Sequence, residues 1–219
     1  MSADTTTIIG LDLGQSQDYT ALALVERRLP EAGAGEGRRE ASYFVRKLER
    51  TRGTPYPEVI SRVITIFNRS SKQITLVVDQ TGVGAPVVDS FRQAGLKPTG
   101  IAIHGGDKVT NEGSTYRVPK RDLMSGLQVL LQNGRLKVSK KLALAEVLVH
   151  EILNMRLKID PLTAHDSYSA WREAEHDDLV LATAMACWYG EHVWRRKYTA
   201  ADMGSGRPPV IGGMEPYRW

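Results

Sequence analysis

Ile8-Ile9-Gly10-Leu11-Asp12-Leu13-Gly14 is an apolar run with a single acid near its end. Residues 7–13 therefore read as a buried strand. An ionised carboxylate there is costly unless it is paired or bound to a metal. A second run, Ile74-Thr75-Leu76-Val77-Val78-Asp79, also ends on an acid. It does not alternate, which points to burial on both faces at the centre of a mixed sheet. A third acid, Asp178, opens the apolar helix Asp178-Leu179-Val180-Leu181-Ala182-Thr183-Ala184-Met185-Ala186. If two strand ends and one helix start converge, the three carboxylates make a site for hard divalent cations.

Working outward, residues 19–26 read as a strand joined to the first by the turn Gly14-Gln15-Ser16-Gln17-Asp18, a hairpin. Residues 30–39 are rich in Gly, Glu and Arg and read as a loop, and residues 41–48 as a third strand. Residues 57–68 carry Val59, Ile60, Val63, Ile64 and Phe67 at helical spacing. A helix over 84–94 ends at Gly95, and 99–103 is a short strand. Residues 105–117 are polar, an excursion or hairpin. A helix over 119–132 has a proline near its first turn and Gly134 after its end. A short strand over 135–138 and helices over 142–157 and 176–192 follow. Residues 198–219 lack periodicity and read as a flexible tail. The expected domain is 1–197. Its order, three hairpin-joined strands and then α-crossovers, predicts an α/β fold: a mixed sheet flanked by helices.

The chain has 219 residues, enough for one domain with a full core. No long apolar run is present, so no membrane span is expected, and the first residues lack the features of a signal peptide. A single cysteine, Cys187, excludes an internal disulfide framework and fits a reducing cytoplasm. The net charge of +4 is compatible with a polyanionic partner. No Gly-x-x-x-x-Gly-Lys-Ser/Thr loop occurs, so a P-loop ATPase is not expected here.

Among the candidate residues, Asp12 is followed by Gly14, which lets a ligand approach the backbone. Asp79 is followed by Gln80-Thr81-Gly82-Val83-Gly84, a glycine-rich turn, although an Asx turn explains an acid at a strand end equally well. His176-Asp177-Asp178 precedes the last helix. Neighbours on a helix point about 100° apart, so one aspartate faces the site. Asp178 is taken as the ligand and Asp177 as the helix cap or an outer group. Asp18 and Thr20 read as hairpin-turn residues. Lys108, Lys120 and Arg121 are candidate phosphate contacts. His104 and the pair His165-Asp166 lack a second histidine at ligand spacing and are set aside. Three clustered carboxylates repel unless a cation joins them. Two bound ions of the Mg²⁺ or Mn²⁺ kind, about 4 Å apart, can bridge a phosphate, activate water and stabilise the leaving oxygen.

Four segments together resemble the nuclease domain of the large terminase subunit of tailed bacteriophages, which has an RNase H-like (RuvC-like) fold. They are Gly10-Leu11-Asp12-Leu13-Gly14 with Asp18-Tyr19-Thr20; Val78-Asp79-Gln80-Thr81-Gly82-Val83-Gly84; Tyr116-Arg117-Val118-Pro119-Lys120-Arg121-Asp122-Leu123; and His176-Asp177-Asp178-Leu179-Val180-Leu181-Ala182. They occur in the family's order. The resemblance implies a metal-dependent endonuclease that cuts concatemeric viral DNA at packaging. Its metal-binding acids fall on Asp12, Asp79 and one of Asp177 and Asp178. It further implies double-stranded DNA as substrate, an ATPase motor, a small terminase subunit and a portal as partners, and the bacterial host cytoplasm as location. In a whole large terminase the motor precedes the nuclease. Asp12 lies too near the start for that, so packaging by this chain alone is not expected. Two other readings stand beside this one. A catalytically inactive RNase H-like DNA-binding or assembly module would bind no ions. An ATP-binding domain of the actin and sugar-kinase type would need two such units.

Overall fold

The computed structural model describes residues 4–14, 18–30, 40–70, 73–81, 84–158 and 176–194. Its strands are β1 (Asp4–Asp12), β2 (Tyr19–Leu29), β3 (Ser42–Arg52), β4 (Ile74–Asp79), β5 (Thr99–His104), β6 (Thr110–Glu112), β7 (Thr115–Pro119) and β8 (Leu136–Val138). Its helices are α1 (Tyr56–Arg69), α2 (Gly84–Gln93), α3 (Lys120–Gln132), α4 (Ala145–Lys158) and α5 (Asp178–Tyr189), and α5 runs into a π-helical turn, Gly190–Trp194. The strands form one mixed sheet in the order β6-β7-β5-β4-β1-β2-β3-β8. β1, β2 and β3 are antiparallel neighbours, while β4 joins β1, β5 joins β4 and β7 joins β5 in parallel.

The two apolar runs occupy the sheet's centre, and each is buried on both faces. On one face Ile9, Leu11, Leu76 and Val78 pack with Val59 and Val63 of α1 and with Val87, Val88 and Phe91 of α2. On the other, Ile8, Val77 and Ile101 pack with α3, α4 and α5. α5 is buried along its whole length between the sheet and helices α3 and α4. That is why its sequence is apolar all round and lacks a polar stripe. Gly134, with φ of 61°, takes the left-handed conformation that ends α3.

Several boundaries differ from the sequence expectation. β3 continues four residues past Leu48, because its charged end Glu49-Arg50-Thr51-Arg52 still pairs with Tyr19–Leu22 of β2. Of the excursion or hairpin expected over 105–117, the hairpin is present, β6 with β7, and β7 extends the sheet beside β5. The last helix becomes π-helical at Gly190, where an added Cβ would come within 2.6 Å of the Tyr43 ring. The proposed tail (198–219), the 197/198 boundary, the loop 31–39 and the pair His165-Asp166 lie outside the described residues. No helix among the described residues is long and apolar enough to cross a membrane.

Candidate metal centre

The register of the sheet puts the first two acids side by side. Leu11 and Val78 form the last ladder pair of β1 and β4. Asp12 and Asp79 are the next residues, on parallel strands about 4.8 Å apart. Side chains alternate along strands, so Asp12 shares a face with Ile8 and Asp79 with Val77. Both acids therefore point to the side covered by α5. Their carboxyl groups are therefore close enough to perturb one another.

Gly10, two residues before Asp12, lies on that same face. An added Cβ there would come within 1.9 Å of the Ala182 carbonyl oxygen. The absence of a side chain at Gly10 thus lets α5 settle directly on β1. Asp178 is one helical turn before Ala182 and so faces the sheet as well. It is buried, whereas Asp177 is half-buried.

The row that carries Asp12 continues across the sheet to Ala21 of β2 and Arg50 of β3. Arg50 Nη2 lies 2.8 Å from Asp178 Oδ2. Its guanidinium sits 3.9 Å from the centroid of the Tyr19 ring, which also meets His176 edge-on at 4.8 Å. Lys120, at the start of α3, holds Asp177 Oδ2 at 2.7 Å. Glu151 of α4 reaches in from the other side. Its Oε2 accepts the Val180 N–H at 2.9 Å, and its Oε1 is 3.7 Å from Arg50 Nη1.

Burial raises the Asp12 pKa well above the usual carboxylate range, and the charges of Asp79, Asp178 and Asp177 push it further, against the pull of Lys120. Burial also raises Asp79, opposed by the bonds from Thr81 and Asp12. Asp178 is raised by burial and by Asp177, opposed by Arg50. Glu151 is pushed up to about 7 by burial, opposed by the Val180 N–H and Arg50. Such a crowd of carboxyl groups stays protonated in part until a cation compensates it.

Asp79 forms the Asx turn that the sequence allowed for it. Its Oδ1 accepts the Thr81 N–H at 2.7 Å, an Asx turn, and Thr81 Oγ1 in turn accepts the Ile103 N–H. Thr20 accepts the Gly14 N–H in the first turn. Of the two roles expected for Asp177, helix cap or outer group, side-chain capping is not seen: the residue stands at the N-cap of α5, yet its side chain makes no capping hydrogen bond. Its carboxylate is drawn off to Lys120, and Glu151 caps the helix from α4. Of the three candidate phosphate contacts, Lys120 lies among the acids. Arg121 is exposed and paired to Asp107 at 2.7 Å, and Lys108 is exposed.

The donors are all carboxylate oxygens, the type that Mg²⁺ and Mn²⁺ prefer, and their mutual repulsion is the kind that a divalent cation relieves. The residues thus fit such ions. As the side chains lie, no group of three His, Cys, Asp or Glu among the described residues stands close enough together to hold an ion. Asp178 is engaged by Arg50 and Asp177 by Lys120.

Arg50 and Glu151 were not found from sequence. The signal for Glu151 was available: Ala145, Leu148 and Ile152 are the buried stripe of α4, and an acid interrupts it.

Residues 9–189 match the terminase RNaseH-like domain family. No curated protein matches the chain. The crystal structure of the large terminase nuclease from thermophilic phage G20c is similar, with a TM-score of 0.51 and 17% identity over 86% of this chain and 83% of that one. The Mn-soaked terminase nuclease domain of human cytomegalovirus has a TM-score of 0.49 and 13% identity over 88% of this chain and 87% of the other.

Proposed function

This chain belongs to the terminase RNaseH-like domain family, and on that footing we propose that it is a divalent-metal-dependent endonuclease that hydrolyses DNA phosphodiester bonds. One observation carries the reading. Asp12 is buried, Asp79 ends the neighbouring strand and repels its charge, and a third acid, Asp178, is carried to them by a helix that a glycine admits. A purely structural core gains nothing from such repulsion.

Asp12, Asp79 and Asp178 would hold the ions, with Asp177 beside them. Bound Mg²⁺ or Mn²⁺, two ions in this reading, would polarise the scissile phosphate, supply a nucleophilic water and stabilise the leaving oxygen. The chain's own residues do the positioning. The Asx turn at Thr81 fixes Asp79 through Oδ1 and leaves its other oxygen for the site. Lys120 restrains Asp177 and offsets the negative charge that an incoming phosphate must meet. Lys108 and Arg121, exposed before β6 and at the start of α3, are the first candidates for backbone contact with double-stranded DNA. Such contacts give weak, salt-sensitive binding with little sequence preference. In packaging, an ATPase motor, a small terminase subunit and a portal would be the partners.

The test is incubation of supercoiled plasmid with Mg²⁺ or Mn²⁺, and with EDTA, for this chain and for Asp12→Asn. Nicked and linear products that need both the metal and Asp12 are the expected result. Equal cleavage by Asp12→Asn would reject the assignment, and intact plasmid with every metal would favour a non-catalytic DNA-binding module.

A further inference from the structure

Arg50 stands between two acids, bonded to one and held just out of hydrogen-bond reach of the other. Its Nη2 is 2.8 Å from Asp178 Oδ2 and its Nη1 3.7 Å from Glu151 Oε1. The side chains of Arg50, Asp178 and Glu151 are 14%, 11% and 4% exposed, so solvent does little to compensate them. Arg50 Nε and Glu151 Oε1 are both buried, and neither has a hydrogen-bond partner. A leftover donor and a leftover acceptor on groups this close define a second arrangement of the same residues, in which the guanidinium turns to Glu151.

We infer that Glu151 is a positioning residue that receives Arg50 when a divalent cation takes Asp178, so that one guanidinium passes between two carboxylates. This inference rests on the metal reading above. While Arg50 holds Asp178, that carboxylate is not free for an ion. Simply expelling Arg50 would strand a buried guanidinium, which is costly. Glu151 removes that obstacle. Its Oε2 is anchored by the Val180 N–H, so its Oε1 stays in place as a receiver. The Tyr19 face beneath Arg50 attracts the cation whichever edge is bonded, so it supports both positions.

The inference is tested by Mn²⁺ affinity, read from the electron paramagnetic resonance signal of free Mn²⁺. The intact chain is compared with Glu151→Gln, Arg50→Ala and the double variant. A glutamine still accepts the Val180 N–H, so the helix cap survives. Glu151→Gln should weaken Mn²⁺ binding roughly five- to tenfold in the presence of Arg50, but less than about twofold in Arg50→Ala. Equal loss in both backgrounds, or Mn²⁺ binding weakened by Arg50→Ala itself, would overturn the exchange. Should a variant fail to fold, the arginine Nε–Hε resonances of the unsubstituted chain give the answer. The Arg50 signal should move as Mg²⁺ saturates the site, and a signal that stays fixed overturns the exchange. A chain that binds no Mn²⁺ at all would overturn the metal reading and this inference with it. Binding without coupling would overturn the exchange alone.

Discussion

The two ends of α5 each hold acids against basic side chains, yet they are built on opposite terms. At the C-terminal end Glu191 accepts from the Tyr43 hydroxyl at 2.8 Å and from Arg135 Nη2 at 2.5 Å, and Arg135 Nε also donates to the Ala41 carbonyl. One acid there meets two donors. At the N-terminal end, Asp12, Asp79, Asp177, Asp178 and Glu151 face Arg50 and Lys120, with His176 3.9 Å from Asp178. Acids outnumber bases there, and four of the five have raised pKa values. A satisfied network rigidifies a fold, whereas an unsatisfied one of like charge is maintained for something else. The contrast separates an end that holds the helix from the end to which the proposed function assigns the ions.

The largest expected effect breaks the end assigned to the ions. Asp12→Asn keeps volume and removes charge, and plasmid cleavage should fall by about 100-fold or more, since losing even an outer partner of a metal ligand costs 10–100-fold. Thermal melting should show the fold intact. The next comparison sharpens the placement of the helix start. Asp178→Asn should abolish cleavage and Asp177→Asn weaken it less, because Asp178 faces the sheet and Asp177 is turned to Lys120. The reverse order in a plasmid assay would exchange their roles.

Gly10→Ala probes what connects the helix to the sheet. The new methyl group would overlap the Ala182 carbonyl, so we expect a loss of about 1–3 kcal/mol in a denaturant melt. Cleavage should also fall, because Asp178 rides on the displaced helix. Full activity in a destabilised Gly10→Ala protein would show that the site does not depend on this contact.

The pH response has a definite sign. Glu151 has an ordinary value of 4.5 and is pushed up to about 7 in the folded chain, and Asp12, Asp79 and Asp178 are raised as well. The folded protein therefore binds more protons than the unfolded one across this window. Stability of the metal-free chain should fall as pH climbs from about 5 to about 7.5. Glu26 and Glu49, which are lowered, are ionised in both states there and do not oppose the trend. Added Mg²⁺ should raise the melting temperature more at the upper end of the window, because the ligands must be deprotonated. A metal-free melting temperature that rises over this range would contradict the description of the acids. The smallest effect belongs to the holding end. Tyr43→Phe should cost about 1 kcal/mol and leave cleavage unchanged.

Much of this was legible in the sequence, for physical reasons that can be named. Asp12 and Asp79 announce themselves because an acid inside an apolar run has few structural explanations. The sheet centre was legible because β1 and β4 lack alternation. Arg50 was hidden because the end of β3 is charged and reads as solvent-exposed loop; only its pairing with β2 shows it to be strand. Glu151 interrupts the apolar stripe of α4, a signal the sequence carries, but what it bonds depends on α4 packing against the start of α5. The capping of α5 from another helix is a tertiary fact, so the local expectation that Asp177 caps it had no way to anticipate Glu151.

The central claim is that Asp12, Asp79 and Asp178 converge on a divalent cation. The most direct measurement is a crystal of this chain soaked in Mn²⁺ and recorded for anomalous scattering. The account predicts an anomalous peak coordinated by Asp12 and Asp79, with Asp178 joining them and Arg50 turned away from it. A peak elsewhere on the molecule, or none beside Asp12 at saturating Mn²⁺, would contradict it.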